Sequence, residues 1–293
     1  KQTIMMPDSK NIALQGSVRN PVNSLATTLK YSGPNPSTLT PFIDYRGTLR
    51  NRFISCSIRN IAFAGPGKNS NVVGLWFYFC AGSLFEHLVI KDFKYGIQID
   101  GHYYCCKFID IRCGWCNYGI RTMSMANGTA LDYCSFMACD VGFGHSLNWY
   151  ACTGIYFNYC YFEVNGTAIE SSIGDLLNIN QCYFEANKYV VDIYSDNVYG
   201  RSPLLILENS FINISHSNPY PSIIRQNIPS SLTLTLILNN NYLANKDTVT
   251  YYDYFMEVVS GNIIIKAENN KIGDPSRNFP ICSKTPLKTS YFN

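Results

Sequence analysis

The sequence predicts an all-β fold, a parallel β-helix of nine or more turns with three short strands in each turn. Three observations carry this. Residues 157–170, FNYCYFEVNGTAIE, recur 22 residues later as INQCYFEANKYVVD. Apolar residues keep the same offsets through nine successive turns, and self-similarity at a period of 20–50 residues is the mark of a solenoid. Polar pairs rich in Asn interrupt each turn at one fixed place, where a sharp corner needs them.

The columns justify the strands in order. Cys160 and Cys182 define one column, which runs back to Cys134, Cys106, Leu88 and Ile61 and forward to Ser210, Asn241 and Asn270. Two residues on lie Phe63, Ile90, Phe108, Phe136, Phe162, Phe184, Ile212, Leu243 and Ile272. Three residues before lie Ile58, Phe85, Tyr103, Leu131, Phe157, Ile179, Leu207, Leu238 and Ala267. Alternation marks a strand with one buried face. The change of parity between the columns marks a bend between two strands. At that bend sit Arg59-Asn60, Glu86-His87, Asn158-Tyr159, Asn180-Gln181, Glu208-Asn209, Asn239-Asn240 and Glu268-Asn269, and Asn tolerates left-handed backbone. A variable stretch follows, then a third apolar strand: YGIQID, YGIRTM, VGFGHS, TAIESS, VVDIYS, SIIRQ and YFMEVVS. Turns stack about 4.8 Å apart, so like residues lie on like. A sandwich would space its strands by 8–12 residues without such columns.

Composition limits the function. The chain of 293 residues is 46% hydrophobic and 15% charged, too apolar for disorder. Its net charge of +3 is small and its basic residues are scattered, so no nucleic-acid partner is expected. No apolar run reaches the ~20 residues of a membrane span, and no membrane insertion is expected. The first residues, KQTIMMPDSKNIALQG, read as the middle of a domain, so residues 1–52 are expected to be lead-in turns, 53–293 the regular turns of one β-helix domain, and other parts to be absent. Among twelve cysteines, Cys106, Cys113 and Cys116 have a zinc-like spacing, but a matching second pair is missing. Buried free thiols are expected, with no metal and no cofactor. The sequons at Asn127, Asn165 and Asn213 are explained by turn chemistry without glycosylation.

The Asn-rich corner of NINQCYF and LILNNNYL resembles the right-handed β-helices of the pectate-lyase-like superfamily. The aromatic, cysteine-rich and charge-poor turns look like bacteriophage tailspike depolymerases, and TIMMPDSKNIALQG followed by TTLKYSG is similar to the start of such domains. The resemblance implies a right-handed β-helix and a homotrimer that binds and cleaves bacterial capsular or O-antigen polysaccharide. It also implies a place in the virion tail, with other phage tail or baseplate proteins as partners through an N-terminal part. Folding in the host cytoplasm fits free thiols, and action would be outside the bacterial cell.

Chemistry is expected on the outward column of the third strand, Gln98, Arg121, Gly144, Glu170, Asp192, Arg225 and Glu257. Strands disfavour acids, yet Glu170 and Asp192 occupy the same position on adjacent turns. Two carboxylates about 5 Å apart repel, which raises one pKa toward that of a general acid. Glycoside hydrolysis needs such a pair. Glu170 and Asp192 are therefore the catalytic candidates, with Glu163 and Glu185, just after the CYF triplets, as a second pair. Arg121, Arg225, Gln98 and Tyr194 are candidate substrate-binding residues. Gly142 and Gly144 leave room, and His145 and Trp149 are expected on the loop that follows, where an aromatic ring could stack on a sugar. The bland alternative for the column is a solvated face with weak salt bridges.

Three other functions remain open. His102, Tyr103 and Lys107 suggest a lyase acting by β-elimination, although Tyr103 falls in an inward column. Asp100, Asp140, Asp175 and Asp196, loop carboxylates near the third strand, could each supply the second acid of a hydrolase pair. A receptor-binding spike without catalysis and a secreted pectin-degrading enzyme are the others. Trp76-Phe77-Tyr78-Phe79 and Tyr251, Tyr252 and Tyr254 are expected to line an interface or a cleft.

Overall fold

The computed structural model describes residues 3–5, 11–16, 27–46, 55–123, 126–145, 154–172, 176–194, 202–214, 222–245, 254–272 and 291–292. The chain is an all-β, right-handed parallel β-helix. One sheet of ten strands contains Ile4–Met5, Thr40–Asp44, Val72–Phe77, Tyr95–Ile99, Tyr118–Thr122, Val141–His145, Thr167–Ser171, Tyr189–Tyr194, Ser222–Asn227 and Tyr254–Ser260, in that order. Each strand pairs in parallel with the same strand of the next turn. The other two strands of each turn form a second, bent sheet. In Ser55–Ala64, Leu84–Lys91 and Lys107–Gly114 the two are continuous, and later turns break them, as in Ile155–Asn158 and Tyr161–Glu163.

The bend has a local cause. Asn60, His87, Asp110, Tyr133, Tyr159, Gln181, Asn209, Asn240 and Asn269 all have φ between 48 and 58°. One left-handed residue reverses the alternation, so the apolar residues on both sides of it point inward. Asn bears this conformation at least cost. A second set of left-handed residues, Asp92, Trp115, Ala138, Val164 and Ala186, closes the second strand of five turns.

The register corrects one expected turn. Ile111 pairs with Leu88, Cys113 with Ile90 and Phe108 with Phe85. The columns therefore pass through Phe108, Ile111 and Cys113, and not through Tyr103, Cys106 and Phe108. Cys106-Lys-Phe108 imitates the Cys-x-Phe of the later turns. Tyr103–Tyr104 instead pairs with Cys80–Ala81 and Ala126–Asn127 in a small three-stranded ladder. Cys105 makes the left-handed corner there, which is why the imitation extends to the backbone.

The core explains the cysteines and much of the asparagine. Cys134, Cys160 and Cys182 are buried, and each thiol donates to a carbonyl of the preceding turn, those of Phe108, Leu131 and Phe157, at 3.4, 3.2 and 3.6 Å. In the same column Asn241 and Asn270 donate to the Leu207 and Leu238 carbonyls at 2.7 and 2.8 Å. A polar group survives burial here because a backbone partner is waiting for it. Phe136, Phe162 and Phe184 stack at 4.9 and 5.1 Å. Asn165, expected in a turn, is buried in an amide ladder: its Nδ2 donates to Asn187 Oδ1 and to the Phe136 carbonyl, and its Oδ1 accepts from Cys139 N–H. All ten described cysteines are free thiols. Among the described residues no His, Cys, Asp and Glu group is arranged for a metal, and no helix is long and apolar enough to cross a membrane.

Candidate functional site

The ten-stranded sheet builds the site. Its inward residues Ile97, Ile120, Phe143, Ile169, Val191, Ile224 and Met256 are all fully buried. The residues that follow them, with Asp44 and Trp76 after Ile43 and Leu75, pair in one continuous column: Asp44, Trp76, Gln98, Arg121, Gly144, Glu170, Asp192, Arg225 and Glu257. A parity break between each Tyr-Gly and the following Ile turns Tyr95 and Tyr118 to this same outer face. There the Arg121 guanidinium lies over both rings, at 4.7 and 5.6 Å from their centroids.

Glu170 is held between two tyrosines from different turns. Tyr118 lies two turns before it, and its Oη is 3.3 Å from Glu170 Oε1. Tyr194 lies one turn after it, and its Oη is 3.3 Å from the same oxygen. Gly144 makes the first contact possible, because a Cβ there would run into the Tyr118 ring. Burial, and then the Asp192 charge, raises the Glu170 pKa above its ordinary value, against the lowering pull of the two hydroxyls and Arg121. The Tyr194 hydroxyl is also 3.1 Å from the His145 carbonyl.

Asp192 is 5% exposed and less open than an outward strand position suggests. Arg225 explains this: its Nε donates to Asp192 Oδ1 at 3.0 Å and its second nitrogen to Oδ2. The guanidinium also covers the Tyr189 ring at 4.9 Å. At the other end of the column Arg46 does the same, bonding both oxygens of Asp44 at 2.9 and 2.7 Å and covering Trp76 at 4.0 Å. Trp76 Nε1 donates to Asp100 at 2.6 Å. Gln98 is 2% exposed, with its amide on Asp100 Oδ1.

His145 differs from expectation. It ends the strand Val141–His145, points into the core and is fully buried. Its Nδ1 shares a 2.6 Å hydrogen bond with Thr122 Oγ1, and burial pushes its pKa down to about 4. The strand continues one residue further than the glycines suggest, which places the imidazole inside; only its carbonyl serves the outer face, through Tyr194. Trp149, Asp175, Asp196, Tyr251 and Tyr252 lie outside the described residues.

The second acidic pair is on the other sheet. Glu163 and Glu185 pair in register. Glu185 accepts from Tyr183 Oη at 3.0 Å, Tyr161 Oη at 3.3 Å and Asn213 Nδ2 at 3.0 Å. Tyr161, Tyr183, Phe211 and Tyr242 stack at 4.8, 5.3 and 5.2 Å, so their faces cover one another. Of the lyase candidates, Tyr103 is fully buried with its hydroxyl 3.2 Å from Thr122 Oγ1, His102 stacks between Phe79 and Tyr104, and Lys107 is exposed. Asp140 pairs with Lys68 at 2.7 Å. Tyr95, Tyr118 and Tyr189 line the candidate face and are absent from the sequence expectations; the recurring Tyr-Gly-Ile was a signal for the first two, and Tyr189, in Tyr-Val-Val, carried none.

No protein-family model matches the sequence, and no curated protein matches it. Among solved structures, the chain is similar to the crystal structure of bacteriophage CBA120 tailspike protein 3, with a TM-score of 0.35 and 10% identity. The likeness covers 90% of this chain and 52% of that one, so the chain spans about half of that protein's length.

Proposed function

We propose that the chain is a tailspike-like depolymerase of a virion tail, acting as a trimer on bacterial capsular or O-antigen polysaccharide and cleaving it by glycoside hydrolysis. The observation that carries this reading is Glu170: a half-buried carboxylate with a raised pKa, one turn from an ion-paired Asp192, on a long face lined by aromatic rings. A raised pKa keeps a carboxylic acid protonated long enough to deliver its proton to a glycosidic oxygen. Glu170 is the proton donor in this reading. Asp192 is the second carboxylate, which attacks the anomeric carbon or orients a water toward it. Arg225 must then yield one Asp192 oxygen as the substrate arrives. The outer column runs parallel to the helix axis, as a linear polymer requires.

A second reading, a spike that adsorbs without cleaving, is favoured by Asp192 having both oxygens on Arg225. Incubation with capsule from a susceptible strain separates the readings. New reducing ends without an unsaturated-uronate absorbance mean hydrolysis. New ends with that absorbance mean β-elimination, and binding with no new ends means adsorption alone.

A further inference from the structure

Three arginines on the outer face of the ten-stranded sheet lie over aromatic rings. Arg46 covers Trp76 and is bonded to Asp44; Arg225 covers Tyr189 and is bonded to Asp192. Arg121 covers Tyr95 and Tyr118 but has no hydrogen-bonded carboxylate among the described residues, only the through-space charge of Glu170, and its Nε is buried without a hydrogen-bond partner. The register shows what is missing. Asp192 precedes Arg225 by one turn in the column, and the residue that precedes Arg121 by one turn is Gln98. Gln98 turns its amide to Asp100 and leaves Arg121 alone. On the other side Arg121 meets Gly144, which has no side chain to offer.

We propose that Arg121 is the binding site for a carboxylate carried by the polysaccharide, so that the glycan is acidic, with a uronate-type sugar seated between Arg121 and Glu170. This rests on the reading of that face as a glycan site. A planar guanidinium held on two rings is pre-organised for two-point contact with a carboxylate, and a half-buried Arg with no hydrogen-bonded carboxylate gains most from one. The seated carboxylate takes the place relative to Arg121 that Asp192 has relative to Arg225. Neutral glycans leave the guanidinium with only the through-space charge of Glu170 and bind less well.

The test uses a panel of acidic capsular polysaccharides, each paired with its carboxyl-reduced derivative, measured by calorimetry against the wild-type chain, Arg121→Gln, Arg121→Lys and Glu170→Gln. The wild type is expected to bind one or more acidic forms and to lose about ten- to hundredfold on carboxyl reduction. Arg121→Gln should lose as much on the acidic form and nothing further on the reduced one, with Arg121→Lys between. Circular dichroism and melting of Arg121→Gln check that the fold is kept. Equal affinity for acidic and reduced forms, undiminished acidic binding by Arg121→Gln, or binding of no acidic form overturns the proposal. A reducing-end assay on the same pairs separates it from the hydrolase reading, with Glu170→Gln as the cleavage-deficient control: acidic binding that depends on Arg121 with no cleavage by the wild type removes hydrolysis and leaves this site standing, and cleavage indifferent to Arg121→Gln removes this site alone.

Discussion

Tyr118 Oη approaches Glu170 Oε1 to 3.3 Å across an intervening turn, and it does so over Gly144. Gly144→Ala places a methyl group inside the Tyr118 ring and forces it aside. The expected cost is about 1–3 kcal/mol, the range for overpacking, seen as a lower urea midpoint. An unchanged midpoint would show that the ring does not lie over this glycine.

The two tyrosine hydroxyls lower the Glu170 pKa, and burial and Asp192 raise it. Tyr118→Phe and Tyr194→Phe should each raise that pKa further, and Asp192→Asn should lower it. Carboxyl-carbon NMR titration of labelled Glu reads these shifts directly. A fall in either Phe variant contradicts the hydrogen bonds described.

Because the folded-state pKa of Glu170 lies above its unfolded value, the folded state binds more protons in the window between them. Stability is lost as pH rises through that window, and the cost is complete above the folded pKa. Glu170→Gln should therefore melt higher than the wild type at neutral pH, with the gain disappearing as pH falls below the unfolded carboxylate value. A gain that persists in acid would point to another cause.

Arg225 and Asp192 are unequal partners. The Asp192 side chain is 7% exposed and that of Arg225 40%. Arg225→Met leaves a buried carboxylate without its partner and should cost about 3 kcal/mol, whereas Asp192→Asn leaves a cation that water can reach and should cost less. Urea unfolding of both variants compares them, and equal or reversed costs would contradict the burial described.

Asn165→Ala orphans the Cys139 N–H and the Phe136 carbonyl, both in the core. A loss of about 2–3 kcal/mol is expected. The ladder also predicts that the folded chain resists modification at this sequon.

Much of the solenoid is legible in the sequence because a parallel β-helix stacks each residue on its counterpart. Ile58, Phe85, Leu131 and Phe157 recur for that reason, and the Asn-rich corner is visible because left-handed backbone favours Asn. The turn at Tyr103–Gly114 is misphased because Cys106 and Cys105 copy a local pattern whose difference lies only in long-range pairing. The second corners carry Asp92 once but otherwise Trp115, Ala138, Val164 and Ala186, residues with no preference for that conformation, so at those four nothing local announces them. In the site, the column of Glu170, Asp192 and Arg225 follows from counting. The side of His145 does not, since it depends on where a strand ends. The reach of Tyr118 over Gly144 does not either, since it crosses turns.

The most direct test of the account is the release of reducing ends from capsule by Glu170→Gln and Asp192→Asn beside the wild type, with binding measured in parallel. The account predicts that the wild type cleaves, that Glu170→Gln loses about a hundredfold or more in rate, as expected for removal of a general acid, and that it still binds. Full activity in both variants would contradict it.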